Sequence, residues 1–284
     1  MTRVSEQART GRAGESDDGI RVGVSMCLLG ERVRYDGGHK RHRYVTEVLA
    51  RYFHLVPICP EVELGMGIPR ETLRLVRDGD EIRMLAPHSG TDHTRAMKRY
   101  AAARAREIAR LDVRGYVFKS GSPSCGTERV RTYTPVGTPA RSTSGLFATA
   151  VMERLPSLPV EEEGRLGDAR LRESFVEKIF AYDRLRRLFA GRWSVRSLQR
   201  FQADETSLLM AHSPKAQRQL SRMAAAAADG GRAGLAEKYQ QHFMTALARP
   251  VTHHGHFSVL QHLMRSFERS LTADEKAEIV EAIA

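Results

Sequence analysis

The chain has 284 residues, 41% of them apolar, enough to bury the core of one large domain or two. Its 45 Lys and Arg against 34 Asp and Glu leave a net charge of +11, which points to a polyanionic partner, nucleic acid first. No apolar run reaches the ~18–20 residues a membrane span needs, three cysteines are an odd number for a disulfide framework, and the opening segment lacks the apolar stretch of a signal peptide. Membrane-spanning and disulfide-stapled secreted classes are therefore set aside, and a reducing cytoplasm is the expected compartment.

Residues 1–19 are polar and charged and read as a disordered tail. From 20 to 165 apolar runs near 21–26, 54–58, 81–85, 113–118 and 158–161 read as strands. Helical patterns at 42–53, 92–111 and 144–155 fall between them. That alternation predicts an α/β domain with a mostly parallel sheet and flanking helices. Near 164 the pattern changes. Helical spacing recurs at 168–190, 194–211, 214–228, 232–248, 253–269 and 272–283, so 166–284 reads as a second, all-α domain. In its first helix Leu171, Phe175, Ile179, Tyr182, Leu185 and Phe189 form the core face.

Each cysteine stands just beyond an apolar run: Cys27 after RVGVSM, Cys59 after FHLVPI, and Cys125 in KSGSPSCG beyond RGYVF. In open α/β sheets ligands bind outside the carboxyl ends of the strands, where these three thiols would meet. Three thiolates are one short of a closed iron–sulfur or zinc site, so a metal group they held would keep one position open. The bland alternative is cysteine as a small buried hydrophobe. The Pro, Gly and Ser crowded around Cys59 and Cys125 tell against it.

Three loops carry the other candidate groups. Glu61 follows Cys59 by two residues and is placed as a general acid or base, with Glu63 beside it. Burial against an apolar wall is the expected tuning of that carboxyl. Arg70 is a candidate anion ligand or the ion-pair partner of Glu71 or Glu63. Around Cys125, Ser120, Ser122 and Ser124 offer hydroxyls and a nest of backbone N–H groups, and Lys119 adds a positive charge. After Cys27, Lys40, Arg41, His42 and Arg43 cluster at a helix start, where the helix dipole disfavours cations unless an anion compensates. No G-x-S-x-G elbow, Walker A, G-x-G-x-x-G or H-E-x-x-H occurs. His253, His254 and His256 are too tightly spaced for one metal and read as the start of a helix. Arg184, Arg186, Arg187, Arg192, Arg196 and Arg200 lie in a run with no acid. With Trp193 and Phe201 interleaved, that run has the composition of a nucleic-acid surface.

Together C-L-L-G at 27–30, Y-D-G at 35–37, C-P-E at 59–61, G-x-P-R at 67–70 and K-S-x-S-P-S-C-G at 119–126 resemble the thiouracil desulfidase family. The likeness spans roughly 20–165 and ends in V-E-E-E-G-R-L at 160–166. LLMAHSPKAQRQL at 208–220 and VLQHLMRSFERSLTADEK at 259–276 are similar to the helical domain often fused to it, and the whole arrangement looks like the bacterial tRNA 4-thiouridine desulfidases. The resemblance implies a [4Fe–4S] cluster on Cys27, Cys59 and Cys125 with one iron not ligated by protein. It implies Glu61 as acid/base, Ser122 as the residue that orients substrate or relays a proton, and tRNA as partner. Sulfur would leave as hydrosulfide without net electron transfer. Lys40, Arg41, Arg70, Lys119, Arg187 and Arg192 are the candidate substrate or RNA contacts. The rivals are a desulfidase of free thiouracil or thionucleotides, and a non-catalytic RNA-binding iron–sulfur sensor, which would keep its function without Glu61.

Overall fold

A run such as RVGVS, apolar at nearly every position, suits a strand covered on both faces, and that is where it lies. In the computed structural model, which describes residues 19–227, 234–267 and 271–283, the strands are β1 (Arg21–Ser25), β2 (His54–Ile58), β3 (Arg74–Asp78), β4 (Glu81–Leu85), β5 (Gly115–Phe118), β6 (Val130–Tyr133), β7 (Pro139–Thr143) and β8 (Val160–Glu162). The tail at residues 1–18, expected to be disordered, lies outside the described residues. The main sheet has the order β2-β1-β5-β8 and is parallel throughout.

Helices cover both faces of this sheet. Helix α1 (Pro60–Glu63) is a single turn at the end of β2, followed in the chain by α2 (Thr94–Arg110), α3 (Leu146–Arg154) and α4 (Ala169–Phe189). Met97, Ala101, Ala105 and Ile108 recur at helical spacing on α2 and pack with Phe147, Ala148 and Val151 of α3 over Tyr116 and Phe118. The other face presents Val22, Val24 and Val117. It is covered by Phe175 and Ile179 of α4 and by Val45 and Leu49 of the helical stretch at 44–51. Tyr116 and Phe118 point one way and Val117 the other, as strand geometry requires.

The run at 81–85 differs from its expected place. It pairs antiparallel with β3 in a second sheet, order β4-β3-β6-β7, whose strands β3, β6 and β7 the sequence pattern does not reveal. Those strands carry Arg, Thr, Ser and Pro on a solvent-facing side, which blurs the period-two signal.

Beyond α4 the chain is helical: α5 (Val195–Asp204), α6 (Thr206–His212), α7 (Pro214–Ala226), α8 (Leu235–Ala246), α9 (His253–Ser266) and α10 (Ala273–Ile283). The pattern at 194–211 is thus two helices, broken at Glu205, whose buried carboxylate binds Arg184 of α4. Tyr239, Phe243, Leu198, Leu209 and Leu220 form the core of this half, continuous with the sheet's core through Ala181, Tyr182 and Leu185. Parts of the expected helices at 228, 232–233 and 268–269 lie outside the described residues. Among the described residues no helix is long and apolar enough to cross a membrane.

Candidate active site

The carboxyl ends of β1, β2 and β5 open into a cavity of about 430 Å³, and Cys27, Cys59 and Cys125 all line it. Cys27 sits in a 3-10 turn directly after β1. Gly30 closes that turn in the left-handed region (φ 100°), which accounts for the glycine of C-L-L-G. The turn is pinned from the other side, where Lys40 and His42 donate their N–H groups to the carbonyls of Cys27 and Leu28, both at 2.9 Å. Cys59 stands at the N-cap of α1. Its own N–H meets Glu63 Oε1 at 3.3 Å, and the N–H groups of Glu61 and Val62 face its sulfur without closing a side-chain cap.

The Cys125 loop is held from three directions. The first turn of α3 donates to it: Leu146 N–H to the Pro123 carbonyl, and Phe147 and Ala148 N–H to the Ser124 carbonyl, at 3.0–3.1 Å. Gly145 permits that approach, since a Cβ there would lie 2.5 Å from the Ser124 carbonyl. On the other side Glu163 receives Lys119 Nζ and the Ser120 N–H (2.6 Å), and Glu162 receives the Thr127 N–H (2.7 Å). Burial disfavours charge on Glu163. The Lys119 and Ser120 hydrogen bonds outweigh it and hold the carboxyl below its ordinary range.

All three thiols are free. Burial, and then the neighbouring Cys59 sulfur, push Cys27 up to about 11, against the pull of Lys119 and Arg34. Burial likewise raises Cys59, and raises Cys125 well above the usual thiol range. Three desolvated thiols facing one another do not become thiolates without a cation among them. Among the described residues no three His, Cys, Asp or Glu side chains converge tightly enough for one metal ion. A multi-iron group does not need that convergence, because each thiolate meets its own iron. The soft all-sulfur donor set fits an iron–sulfur cluster.

Glu61 enters the same cavity from α1. Instead of an apolar wall it faces Arg70, whose Nη2 and Nε lie 2.6 and 2.9 Å from Oε2. Arg70 and Glu61 are 7% and 14% exposed, and the remaining guanidinium donors go to the Val33 and Gly67 carbonyls. Arg70 thus clasps Glu61 and two loops together and does not pair with Glu71 or Glu63. The other oxygen, Oε1, accepts a hydrogen bond from Ser124 Oγ at 2.8 Å. Ser122 lines the cavity, and its Oγ accepts the N–H groups of Ser124 (3.2 Å) and Cys125 (3.1 Å).

Glu63 turns away from the cavity. Besides the Cys59 N–H it receives Tyr100 Oη at 2.7 Å and pairs with Arg104 at 3.0 Å, the latter an ion pair without hydrogen-bond alignment. Lys40 and Lys119 line the cavity, while Arg41 extends to Glu47 (3.4 Å). Sequence reading missed Ser124 as the hydroxyl partner of Glu61, and Glu162 and Glu163 as braces. Three acids in a row, Glu161 to Glu163, directly after Leu158, Pro159 and Val160 were the available signal.

The arginine run folds differently from its expectation. Arg184 pairs with Glu205 (2.8 Å), Arg186 with Asp112 (3.1 Å), Arg187 with Asp183 (2.8 Å) and Arg200 with Asp204 (4.0 Å). The compensating acids flank the run or come from elsewhere in the chain. Trp193 packs edge-on to Phe189 (5.5 Å) and Phe201 against Phe243 (5.4 Å), so both aromatics serve the core. Arg186 and Arg187 meet Asp112, Asp183 and Arg114 at the amino end of β5, across the sheet from the cysteines. Arg192 and Arg196 are exposed. His253 begins α9, as its spacing suggests.

A parallel sheet that delivers three cysteines and an ion-paired glutamate to one cavity defines a thiolate-ligand site suited to soft metals. More particularly, the chain belongs to the 2-thiouracil desulfurase family, whose model matches residues 22–163. A protein family of unknown function, DUF1722, matches residues 207–284. Among solved structures, the chain is 30% identical to the [4Fe-4S]-dependent thiouracil desulfidase TudS, over 55% of this chain and 98% of that one, with a TM-score of 0.43. It is also 26% identical over 150 residues to the uncharacterized protein YbbK of Bacillus subtilis (strain 168), covering 51% of this chain and 97% of that protein.

Proposed function

We propose that the protein is a [4Fe–4S]-dependent desulfidase that converts 4-thiouridine in tRNA to uridine, with residues 20–165 as the desulfidase unit and 166–284 as the part that holds tRNA. One observation carries the chemistry: Cys27, Cys59 and Cys125 share a cavity with a Glu61 that has one oxygen clasped and the other on a hydroxyl. Cys27, Cys59 and Cys125 would hold the cluster with one iron left without a protein ligand, and it would supply a thiophilic Lewis acid for the thiocarbonyl sulfur.

The protein's own groups divide the remaining work. Arg70 fixes Oε2, so Glu61 Oε1 is the oxygen that takes a proton from water as it adds to the thiocarbonyl carbon. Ser124 Oγ orients that oxygen and relays the proton. Ser122 Oγ already accepts two N–H groups, so its own O–H is free to donate to the base. Lys119, held by Glu163, adds positive charge where sulfur departs. The balance is thiocarbonyl plus water to carbonyl plus hydrosulfide, with no electron transferred.

The test is anaerobic. The reconstituted protein is given tRNA containing 4-thiouridine, and the near-UV absorbance of the thiobase is followed with Cys125→Ala as control. Loss with the wild type alone supports the reading, and full activity in Cys125→Ala sinks it. A second reading, action on free thiouracil or thionucleotides, is favoured by the pairing of Arg184, Arg186, Arg187 and Arg200 with acids. It expects free thiobase to be desulfurated with tRNA untouched.

A further inference from the structure

Beside the cysteine cavity lies a groove of about 530 Å³, and the two share Thr72, Leu73, Gly121 and Pro123 in their walls. The far wall is the second sheet: Arg74 comes from β3, Arg131 and Tyr133 from β6, and Arg129 from the residue just before it. Along β6 the buried residues are Val130 and Thr132, so Arg131 and Tyr133 share the opposite face. The Arg74 guanidinium lies 4.4 Å over the Tyr133 ring.

Two features set these arginines apart from the paired members of the run at 184–200, Arg184, Arg186, Arg187 and Arg200. Among the described residues neither Arg129 nor Arg131 forms an ion pair, and the nearest acid in sequence, Glu128, turns to Arg165 at 3.5 Å. Arg129 also has φ 54°, a left-handed conformation that glycine adopts freely and arginine only at a cost. Three guanidinium groups in one concavity repel one another unless an anion sits among them, and their forked donors match phosphate oxygens.

We propose that this groove binds the phosphate attached to the thiobase nucleotide while the base enters the cysteine cavity across the shared wall. The ligand class is a nucleotide phosphate, borne either by a polynucleotide backbone or by a mononucleotide. The inference rests on the thiobase reading above and adds where the charged part of the substrate lies, next to the cysteines and not on the arginines at the amino end of β5.

The experiment uses the full chain and two probes, unmodified tRNA and uridine 5′-monophosphate, with affinity measured between 50 and 200 mM salt. Arg129→Gly with Arg131→Ala removes two cations at a left-handed and an exposed position, and circular dichroism checks that the fold persists. Affinity for tRNA should fall about tenfold or more, and the slope of log K against log salt should lessen by about 2. Arg131→Glu should weaken binding further than Arg131→Ala. A loss confined to tRNA assigns the phosphate to a polynucleotide, and a loss with both probes assigns it to the nucleotide itself; either upholds the groove. Unchanged affinity and slope with both probes in the folded variants overturn it. Hydrosulfide release by the wild type from tRNA containing 4-thiouridine tests the desulfidase reading separately. If that fails while the variants lose affinity, the reading falls and the groove stands.

Discussion

At Glu61 the two carboxylate oxygens have different surroundings, and the chemistry follows from the difference. Oε2 is fixed by Arg70 and Oε1 is left to Ser124. Glu61→Gln should lower kcat by about 10²–10⁴-fold, while iron and sulfide analysis finds the cluster content unchanged. Loss of the cluster together with activity would instead make Glu61 a structural clasp. Ser124→Ala should slow turnover less, since water can replace a hydroxyl as a relay. The C-P-E run already placed Glu61 beside a candidate ligand, and three alternate serines flagged the second loop. Which serine meets Glu61 was not legible. That depends on how the α3 turn grips the loop, through contacts from Gly145 to Ala148 that no local pattern encodes.

At the scale of elements, the site is a set of helix ends aimed at loops. Gly145 begins α3 and touches the Ser124 backbone. Gly145→Ala should push that loop away, reducing iron loading and lowering the melting temperature; normal loading would show that the loop relaxes without moving Cys125. Helix α2 supports Cys59 through Tyr100 and Glu63. Its start is fixed by Asp92, which accepts the Thr94 N–H at 2.8 Å and pairs with Arg83 at 2.7 Å. The Thr94 hydroxyl first, then Arg83, hold the Asp92 carboxyl at about 2 against an ordinary 3.8. A carboxyl depressed in the folded state contributes stability that is full above its unfolded value and is lost as pH falls through the folded one. Asp92→Asn should therefore cost most at neutral pH, about 0.5 kcal/mol for a solvent-screened, hydrogen-bonded carboxylate. The gap from wild type in urea unfolding should narrow as the pH falls from about 4 toward 2. A gap that stays constant with pH would remove the charge from this account.

Across the whole molecule, α4 joins the halves. Its middle covers the sheet with Phe175 and Ile179, and its last turns enter the helical core. Arg114 fastens that junction. It is 8% exposed and binds both Asp183 of α4 (2.9 Å) and Asp112. Arg114→Ala leaves Asp183 buried beside Arg187 alone and should cost about 3 kcal/mol, read as a lower urea midpoint. A change under about 0.5 kcal/mol would mean that Arg187 suffices.

Some of this was fixed by composition and order along the chain. The alternation of apolar runs set the parallel sheet, helical spacing set the second half, and a cysteine after each of three strands set the meeting of three thiols at one sheet edge. Local rules suffice there, because strand and helix periodicity are properties of neighbouring residues. The tertiary structure decided the rest: the guanidinium on Glu61, the acids that pair with Arg184, Arg186, Arg187 and Arg200, the packing of half-buried Trp193 and Phe201 against the core, and Arg129 and Arg131 beside the cysteines with no ion pair among the described residues. Charge pairing is a long-range property. A carboxylate can come from anywhere in the chain, so net charge counts cations, but only the fold shows which of them remain available to a ligand.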